Sequence, residues 1–358
     1  MRVIFRVDSS SVIGSGHLMR CLSLAKLMQQ QNWEVSFICR AHKGNLNALI
    51  IQQEMNCIEL PRQPSLEENL SGYQVWLGCS ENDDAEACLA QLSKSVDLLI
   101  VDHYALGEMF CKRLRRITNK IMMIDDLANR QHDCDILLDQ NLLPNSQLRY
   151  LGKVREGCAL LLGPAYALLR EEFFSDLKRQ SDQRRVLVFF GAADQQGLTV
   201  KALKAINNIK EVKFYTDIVI NNTHKDKDWI IQYCKCRPNF KVHIQTQNMA
   251  QLMLDADFML GAGGATHWER CATGLPSLCV TLAENQLDST AYLHELGMCE
   301  WIGRAHDMTV ERIQQKLSLY LVSDKKLLKM REQIKGVMSE TESGTTKVLT
   351  VLTKMFYS

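Results

Sequence analysis

Residues 3–17 read VIFRVDSSSVIGSGH. The run opens with an apolar segment, Val3–Val7, that has the composition of a buried strand, and it continues through a loop rich in serine and glycine. A helical pattern, His17–Gln31, follows directly. This order of strand, loop and helix begins an alternation that implies a parallel sheet with right-handed crossovers.

The same alternation continues through most of the chain. The segment Asp97–Asp102 is nearly all apolar, as expected for a strand buried on both faces, and Asp83–Ser95 has a helical pattern. Further predicted strands are Val35–Cys39, Lys120–Ile124, Asp135–Leu138, Ala159–Leu162, Val186–Phe190, Asp217–Ile220, Lys241–Ile244, Asp257–Leu260 and Ser277–Val280. We therefore predict an α/β protein with two doubly wound, Rossmann-like domains facing a cleft at their strand ends, where such sheets bind ligands.

The length of 358 residues also favours two domains. A polar stretch, Ser175–Arg185, interrupts the apolar pattern and is predicted to be a linker. The predicted domains are residues 1–175 and 184–307. Residues 308–358 are predicted to form a helical tail that packs on both lobes.

The composition is that of an ordinary globular protein, with 46% apolar and 23% charged residues and a formal net charge of +1. This balance gives no reason to expect a nucleic acid or a membrane as partner, so an anionic ligand would be held by backbone amides and helix ends. No signal peptide or membrane span is evident, which predicts a cytoplasmic protein whose thirteen cysteines stay reduced. No C-x-x-C pair occurs, so no metal site is expected.

The first candidate site is the loop that contains Gly14, Ser15 and Gly16. A dinucleotide-binding fingerprint would need a third glycine at position 19, which is Met19. The loop therefore does not favour a dinucleotide site. His17 lies in the first turn of the helix, where the helix dipole disfavours protonation and leaves a neutral imidazole able to accept a proton. Asp8, at the end of the preceding strand, is the expected partner of the other ring nitrogen, and Asp102 is a further candidate for an acid or orienting role. The alternative is that His17 only caps or packs the helix.

The second candidate site lies in the C-terminal half, where residues 257–270 read DFMLGAGGATHWER. Free amides at Gly263 and Gly264 would hold a pyrophosphate, and Glu269 would accept the ribose hydroxyls. A tight packing turn and a solvated glutamate are the alternatives. Asn285 and Gln286 follow the next predicted strand and would face the same cleft.

Several of these motifs resemble the UDP-2,4-diacetamido-2,4,6-trideoxy-β-L-altropyranose hydrolases of pseudaminic acid biosynthesis. The matching segments are DSSSVIGSGHLMR at residues 8–20, IVDHY at 100–104, YALLREEF at 166–173 and AENQ at 283–286. That family is related to the GT-B glycosyltransferases, so the resemblance implies a two-lobed fold. This chain departs from the family pattern at the glycine turn, which is closer to the glycosyltransferase pattern. It is also longer at its end than the shortest family members.

The resemblance implies a role for each matching residue. His17 would be the general base, Tyr104 and Asn285 would lie near the sugar, and Arg170 and Glu269 would contact the nucleotide sugar. The implied reaction is attack of water on the anomeric carbon with C–O cleavage and inversion, which releases UDP. No cofactor is implied, and the product would serve flagellar or capsular glycans.

Three other functions remain open from the sequence. A GT-B glycosyltransferase would use the same donor but an alcohol acceptor, and a UDP-sugar 2-epimerase would interconvert sugars without net loss of UDP. A sugar-nucleotide sensor would bind UDP without turnover. The sequence implies no particular oligomeric state.

Overall fold

The computed structural model describes residues 1–62, 70–175, 177–191, 194–210, 212–338 and 342–357. These residues form two compact units. Unit 1 combines Met1–Arg170 with Glu342–Ser358, and unit 2 is Glu171–Thr341. In the described ranges no helix has the length and apolar character needed to cross a bilayer.

Unit 1 is built on a sheet of seven parallel strands with the order β3-β2-β1-β4-β5-β6-β7. The strands are β1 Arg2–Val7, β2 Glu34–Arg40, β3 Asn56–Leu60, β4 Val96–Asp102, β5 Thr118–Ile124, β6 Ile136–Asp139 and β7 Ala159–Leu162. The helices are α1 Gly16–Gln30, α2 Asn47–Gln52, α3 Gln74–Leu77, α4 Glu81–Gln91, α5 Glu108–Leu114, α6 Ser146–Arg149 and, from the end of the chain, α14 Gly344–Tyr357.

Unit 2 is built on a sheet of six parallel strands with the order β10-β9-β8-β11-β12-β13. The strands are β8 Arg185–Phe189, β9 Tyr215–Ile220, β10 Phe240–Ile244, β11 Phe258–Ala262, β12 Ser277–Thr281 and β13 Glu300–Arg304. The helices are α7 Leu198–Asn208, α8 Lys227–Lys235, α9 Met249–Asp255, α10 Thr266–Ala272, α11 Leu287–Glu295, α12 Val310–Leu321 and α13 Asp324–Ile334.

The strand order reverses once in each sheet. The chain winds outward from β1 in unit 1 and from β8 in unit 2, then returns to start the other half beside the same strand, as β4 or β11. At such a reversal the loops leave the two central strands in opposite directions and open a crevice at their carboxyl ends. These crevices are where the fold places a ligand.

The predicted helical tail is divided between the units. Helices α12 and α13 pack into the core of unit 2 through apolar side chains such as Leu317 and Leu327. Helix α14 packs through Val348 on the unit 1 core, which contains α1. The hydroxyl of Thr345 donates to the carbonyl of Leu169 at 2.8 Å and accepts from its amide at 3.0 Å, which fixes the start of α14 to unit 1.

The predicted fold class is confirmed, and eleven predicted strands correspond to observed ones. The two strands missed, β3 and β13, lie at sheet edges and read NCIEL and EWIGR, without the apolar run that marks a central strand. Asp176 of the predicted linker lies outside the described residues. Arg179, also in that stretch, forms an ion pair with Asp257 at 2.9 Å within unit 2.

Candidate active site

His17 lies at the strand-order reversal of unit 1, in the first turn of α1. Its Nδ1 atom is 2.6 Å from Oδ1 of Asp102, the last residue of β4. Arg20, one turn further along α1, forms two hydrogen bonds of 2.6 Å with the same carboxylate. Asp102 is buried and the His17 side chain is 11% exposed, so solvent still reaches the imidazole.

The electrostatics of this group determine which ring nitrogen of His17 can act as a base. Burial would raise the pKa of Asp102, but Arg20 and His17 hold it well below its usual range, so the carboxylate is ionised. A contact of 2.6 Å with an ionised carboxylate requires a proton on Nδ1. Nε2 then carries the lone pair that can accept a proton.

The expected orienting role of Asp8 is wrong, because Asp102 holds that position. Val7 and Asp102 are register partners in neighbouring strands, so their side chains lie on the same face of the sheet as α1. Asp8 is one residue further along the strand, and the two-residue periodicity turns it to the opposite face.

On that opposite face Asp8 belongs to a buried charge network. It accepts two hydrogen bonds from the guanidinium of Arg6, at 2.6 and 2.9 Å, and one from the backbone of Arg40. Burial would raise the pKa of Asp8, but Arg6 and His42 keep it well below its usual range. Asp84 completes the network by accepting hydrogen bonds from the guanidinium groups of Arg6 and Arg40. Asp8 therefore lies on the face away from His17, and its catalytic role stays a prediction.

Tyr104, two residues after Asp102, lies against His17. The ring centroids are 4.6 Å apart and the rings meet edge to face. Only 5% of Tyr104 is exposed, and its hydroxyl bonds to Asp126. Burial and the Asp126 carboxylate raise the pKa of Tyr104 well above its usual range. The neighbouring His103 is also buried, and burial lowers its pKa to about 3, so it is neutral.

Two further aromatic residues cover Tyr104. The ring of Tyr73 is 4.9 Å from that of Tyr104, the ring of Trp76 is 5.7 Å from it, and the two outer rings are 4.9 Å from each other. Both outer residues are only half-buried. We call Tyr73, Trp76 and Tyr104 the aromatic cluster.

The glycine loop that precedes α1 is open on its outer side. Gly14 has a φ of +82°, which favours glycine, and its amide donates to Ser10 at 2.9 Å to close the turn. A Cβ atom at Gly14 or Gly16 would meet no atom within 4 Å. Ser15 is the N-cap of α1, and its side chain makes no capping bond. The loop therefore leaves room beside His17.

The glycine turn of unit 2 follows β11 at the second strand-order reversal. A Cβ atom at Gly261 would lie 2.3 Å from the Phe189 carbonyl, so this glycine is needed for close strand packing. At Gly263 it would lie 2.8 Å from the Thr290 hydroxyl. The expectation of a free amide at Gly263 is wrong, because this amide donates to the carbonyl of Val280 in the neighbouring strand at 3.2 Å. Gly264 has a φ of +79°, and its Cβ position is 3.2 Å from the Gln286 side chain.

Gln286 is thus packed against the predicted pyrophosphate turn. Its Oε1 atom accepts from the amide of Leu282 at 2.9 Å, which fixes the side chain. Asn285 lies in the same short 3-10 turn, Glu284–Gln286, after β12. Glu269 is half-buried on α10, and Arg170 is the last residue of unit 1. The structure therefore brings Gly263, Gly264 and Gln286 together in unit 2, and His17 and Tyr104 together in unit 1.

A buried cation lies behind the glycine turn. Arg270 is 1% exposed and donates to the carbonyl of Met298 at 2.8 Å and to Nδ1 of His267. Because Nδ1 accepts these bonds, Nε2 of His267 donates to the Thr290 hydroxyl, 3.0 Å away. Burial lowers the pKa of His267, which agrees with a neutral ring.

The sequence motifs predict no role for Arg20, Asp126, Tyr73 or Trp76. Arg20 was recognisable from its position three residues after His17 on one helix. Asp126 follows a buried strand, the same signal that pointed to Asp8. Tyr73 is the N-cap of α3 and Trp76 lies within it, and this helix of four residues is too short to show an amphipathic pattern.

Comparisons with known proteins agree with this architecture. The Glycosyltransferase family 28 C-terminal domain matches residues 185–343. The UDP-2,4-diacetamido-2,4,6-trideoxy-beta-L-altropyranose hydrolase of Campylobacter jejuni is 28% identical over 299 residues, which cover 83% of this chain and 97% of that protein. The spore coat polysaccharide biosynthesis protein SpsG of Bacillus subtilis is 25% identical over 54% of this chain and 58% of its own length.

Solved structures show the fold. The crystal structure of Acinetobacter baumannii MurG aligns over 99% of this chain and 100% of its own, with a TM-score of 0.62 and 16% identity. The structure of Staphylococcus aureus MnaA with UDP aligns over 99% of this chain and 97% of its own, with a TM-score of 0.67 and 11% identity. The chain thus has a GT-B-like fold, matches the Glycosyltransferase family 28 C-terminal domain in its second half, and resembles the Campylobacter hydrolase along most of its length.

Proposed function

We propose that this protein hydrolyses a UDP-linked 2,4-diacetamido-2,4,6-trideoxyhexose to UDP and the free sugar. The similarity to the Campylobacter hydrolase, which extends over 97% of that protein, supports this substrate class. The product would enter pseudaminic acid synthesis for flagellar or capsular glycans, and the reaction would take place in the cytoplasm.

The observation that carries the proposal is the 2.6 Å contact between Nδ1 of His17 and Asp102. With Nδ1 protonated, Nε2 takes a proton from water while the water oxygen bonds to the anomeric carbon. The bond from that carbon to the diphosphate oxygen breaks, and UDP leaves with the electron pair. Attack from the side opposite UDP inverts the configuration. A general base of this kind contributes about 10²–10⁴-fold to the rate.

The leaving group explains why a single base is enough. A glycosidase needs two carboxyl groups because its leaving group is a poor alkoxide, whereas UDP leaves as a stabilised anion. We assign the amide of Gly264 to the diphosphate, with Gly263 beside it in the same turn, Glu269 to the ribose, and Asn285 and Gln286 to the donor sugar nucleotide. Further substrate contacts are assigned to Gly14, Ser15, Gly16, Tyr104 and Arg170.

The test is to incubate the protein with the UDP-sugar in ¹⁸O-labelled water and analyse both products by mass spectrometry. The proposal requires the label in the sugar, because water attacks carbon. Label in UDP would show P–O cleavage and would contradict the mechanism. Absence of UDP release would contradict hydrolysis itself.

A glycosyltransferase is the second candidate, and the match of residues 185–343 to the Glycosyltransferase family 28 C-terminal domain favours it. A transferase would release UDP only when an alcohol acceptor is added, and the sugar would then appear on that acceptor without ¹⁸O. Equal UDP release with and without acceptors would exclude this alternative.

A further inference from the structure

The aromatic cluster has an inner and an outer layer. Tyr104 is the inner layer, because it is 5% exposed and its hydroxyl is engaged with Asp126. Tyr73 and Trp76 form the outer layer, and both are half-buried. The resemblance points to Tyr104 as a sugar contact, but the aromatic surface open to solvent beside it belongs to the outer two residues.

The outer layer is tied to the candidate base through Tyr104. Tyr104 meets the His17 ring edge to face at 4.6 Å and touches Tyr73 and Trp76 at centroid distances of 4.9 and 5.7 Å. A sugar whose anomeric carbon is near Nε2 of His17 therefore has these rings within reach of its other substituents.

The chemistry of the proposed substrate suits such a surface. A 2,4-diacetamido-2,4,6-trideoxy sugar carries three methyl groups, one at C6 and one on each acetamido group, and is more apolar than a common hexose. Aromatic rings bury apolar groups of this kind and contact C–H groups with their faces. Tyr and Trp also lose little conformational entropy when a ligand binds, since each has only two side-chain torsions.

We propose that Tyr73 and Trp76 form the surface that contacts the methyl groups of the sugar and selects the deoxy, diacetamido substrate. Tyr104 contacts both of these rings and also the His17 ring. This inference rests on the proposed substrate class, but it concerns sugar binding and not the chemical step.

The test measures binding in the His17→Asn background, in which turnover is expected to be lowered by about 10²–10⁴-fold. Titration calorimetry is performed on H17N, H17N/W76A and H17N/Y73A, with the UDP-sugar and with UDP alone. The expected result is that each aromatic substitution weakens binding of the UDP-sugar by about tenfold, the effect of losing one or two apolar contacts, while UDP affinity is unchanged. The same aromatic substitutions should weaken binding of UDP-N-acetylglucosamine less than binding of the substrate, because UDP-N-acetylglucosamine has hydroxyl groups at C4 and C6.

The matched control is Trp229→Ala in unit 2. Trp229 is 39% exposed and stacks on Tyr233 at 4.6 Å, so its removal deletes a comparable aromatic pair. H17N/W229A should bind both ligands like H17N. A Trp76→Phe variant should recover most of the lost affinity.

Three results would overturn the inference. The first is equal affinity of H17N for the UDP-sugar and for UDP, which would mean that no sugar contact contributes. The second is unchanged UDP-sugar affinity in both aromatic variants. The third is an equal loss for UDP and the UDP-sugar. Turnover by the wild type is scored separately, so failure of hydrolysis and failure of this contact are distinguishable.

Discussion

The two sheets have the same winding but opposite chemistry at their strand-order reversals. In unit 1 the reversal is lined by charged side chains in direct contact, with Asp102 between His17 and Arg20. In unit 2 it is lined by a glycine turn, with the neutral Gln286 and Thr290 packed against Gly264 and Gly263. Fixed charges can hold a proton at a chosen atom, whereas exposed backbone amides suit a diffuse anion. In the proposed function, unit 1 carries out the chemistry and unit 2 holds the nucleotide.

The largest expected effect comes from replacing the base in unit 1. We expect His17→Asn to reduce kcat by about 10²–10⁴-fold, because the general base is lost, and to leave UDP affinity unchanged. UDP release and UDP titration measure the two quantities. His306→Asn is the control, since that side chain is 65% exposed, and it should behave like the wild type. A fully active His17→Asn variant would remove His17 from the mechanism.

The second effect separates the orientation of the His17 imidazole from the stability of unit 1. Asp102→Asn should reduce kcat about as strongly as loss of the base, because the carboxamide NH2 can face Nδ1 and favour the tautomer in which Nε2 carries the proton. It should also destabilise unit 1 by about 3–5 kcal/mol, because the buried Arg20 keeps only Asp126, 3.7 Å away, as an ionised partner. Thermal unfolding and steady-state rates measure both.

Asp217→Asn is the matched change in unit 2. Asp217 accepts from Arg185 at 2.8 Å and contacts His243 at 2.7 Å, so its loss should lower Tm and leave kcat unchanged. An equal drop in kcat for both variants would show that activity follows stability alone, and the comparison between the units would fail.

The third effect concerns the glycine turn. Gly263→Ala should weaken UDP binding by about tenfold, because the added methyl group would press on Thr290 and His267 and displace the turn that carries the Gly264 amide. Gly274→Ala is the control in the same unit. Gly274 has a φ of +65° with no atom within 4 Å of a Cβ, so this change should cost about 1 kcal/mol of stability without altering UDP affinity.

The fourth effect tests the ribose contact. Glu269→Ala should raise KM about tenfold and change kcat less, because the ribose is equally bound in the ground state and the transition state. Glutamine at this position, which keeps one acceptor oxygen, should show an intermediate KM. An unchanged KM in the alanine variant would contradict the assignment.

The smallest effect is a pH dependence of stability in unit 1. Burial lowers the pKa of His103 to about 3, below its value of about 6.5 in an unfolded chain. The unfolded state therefore binds more protons between these values, and stability falls as pH falls through this window. His103→Asn, which keeps an acceptor for the Ala105 amide, should reduce the difference in Tm between pH 7 and pH 4.5. Carboxylates with lowered pKa, such as Asp102, act only below about pH 4.

Much of the fold and part of the site were predictable from the sequence. Central strands such as β4 are apolar throughout, so their type and order were evident, and the glycine loops marked the strand-to-helix turns. The partner of His17 was not predictable, because Asp8 and Asp102 both follow apolar runs. Only the register between β1 and β4 decides which carboxylate faces α1. The position of Tyr73 and Trp76 beside Tyr104 was also not predictable, because it depends on tertiary packing alone.

Helix α14 has a practical consequence for dividing the protein into fragments. A Cβ atom at Gly344 would lie 2.5 Å from the backbone of Ala167, so the end of the chain is seated tightly on residues far from it in sequence. Unit 2 is one continuous segment, residues 171–341. A fragment ending at residue 170 lacks Val348 and Leu352, which fill the core beneath α1. A stand-alone version of the unit that contains His17 therefore requires residues 342–357 to be supplied, either by fusion after residue 170 or as a separate peptide.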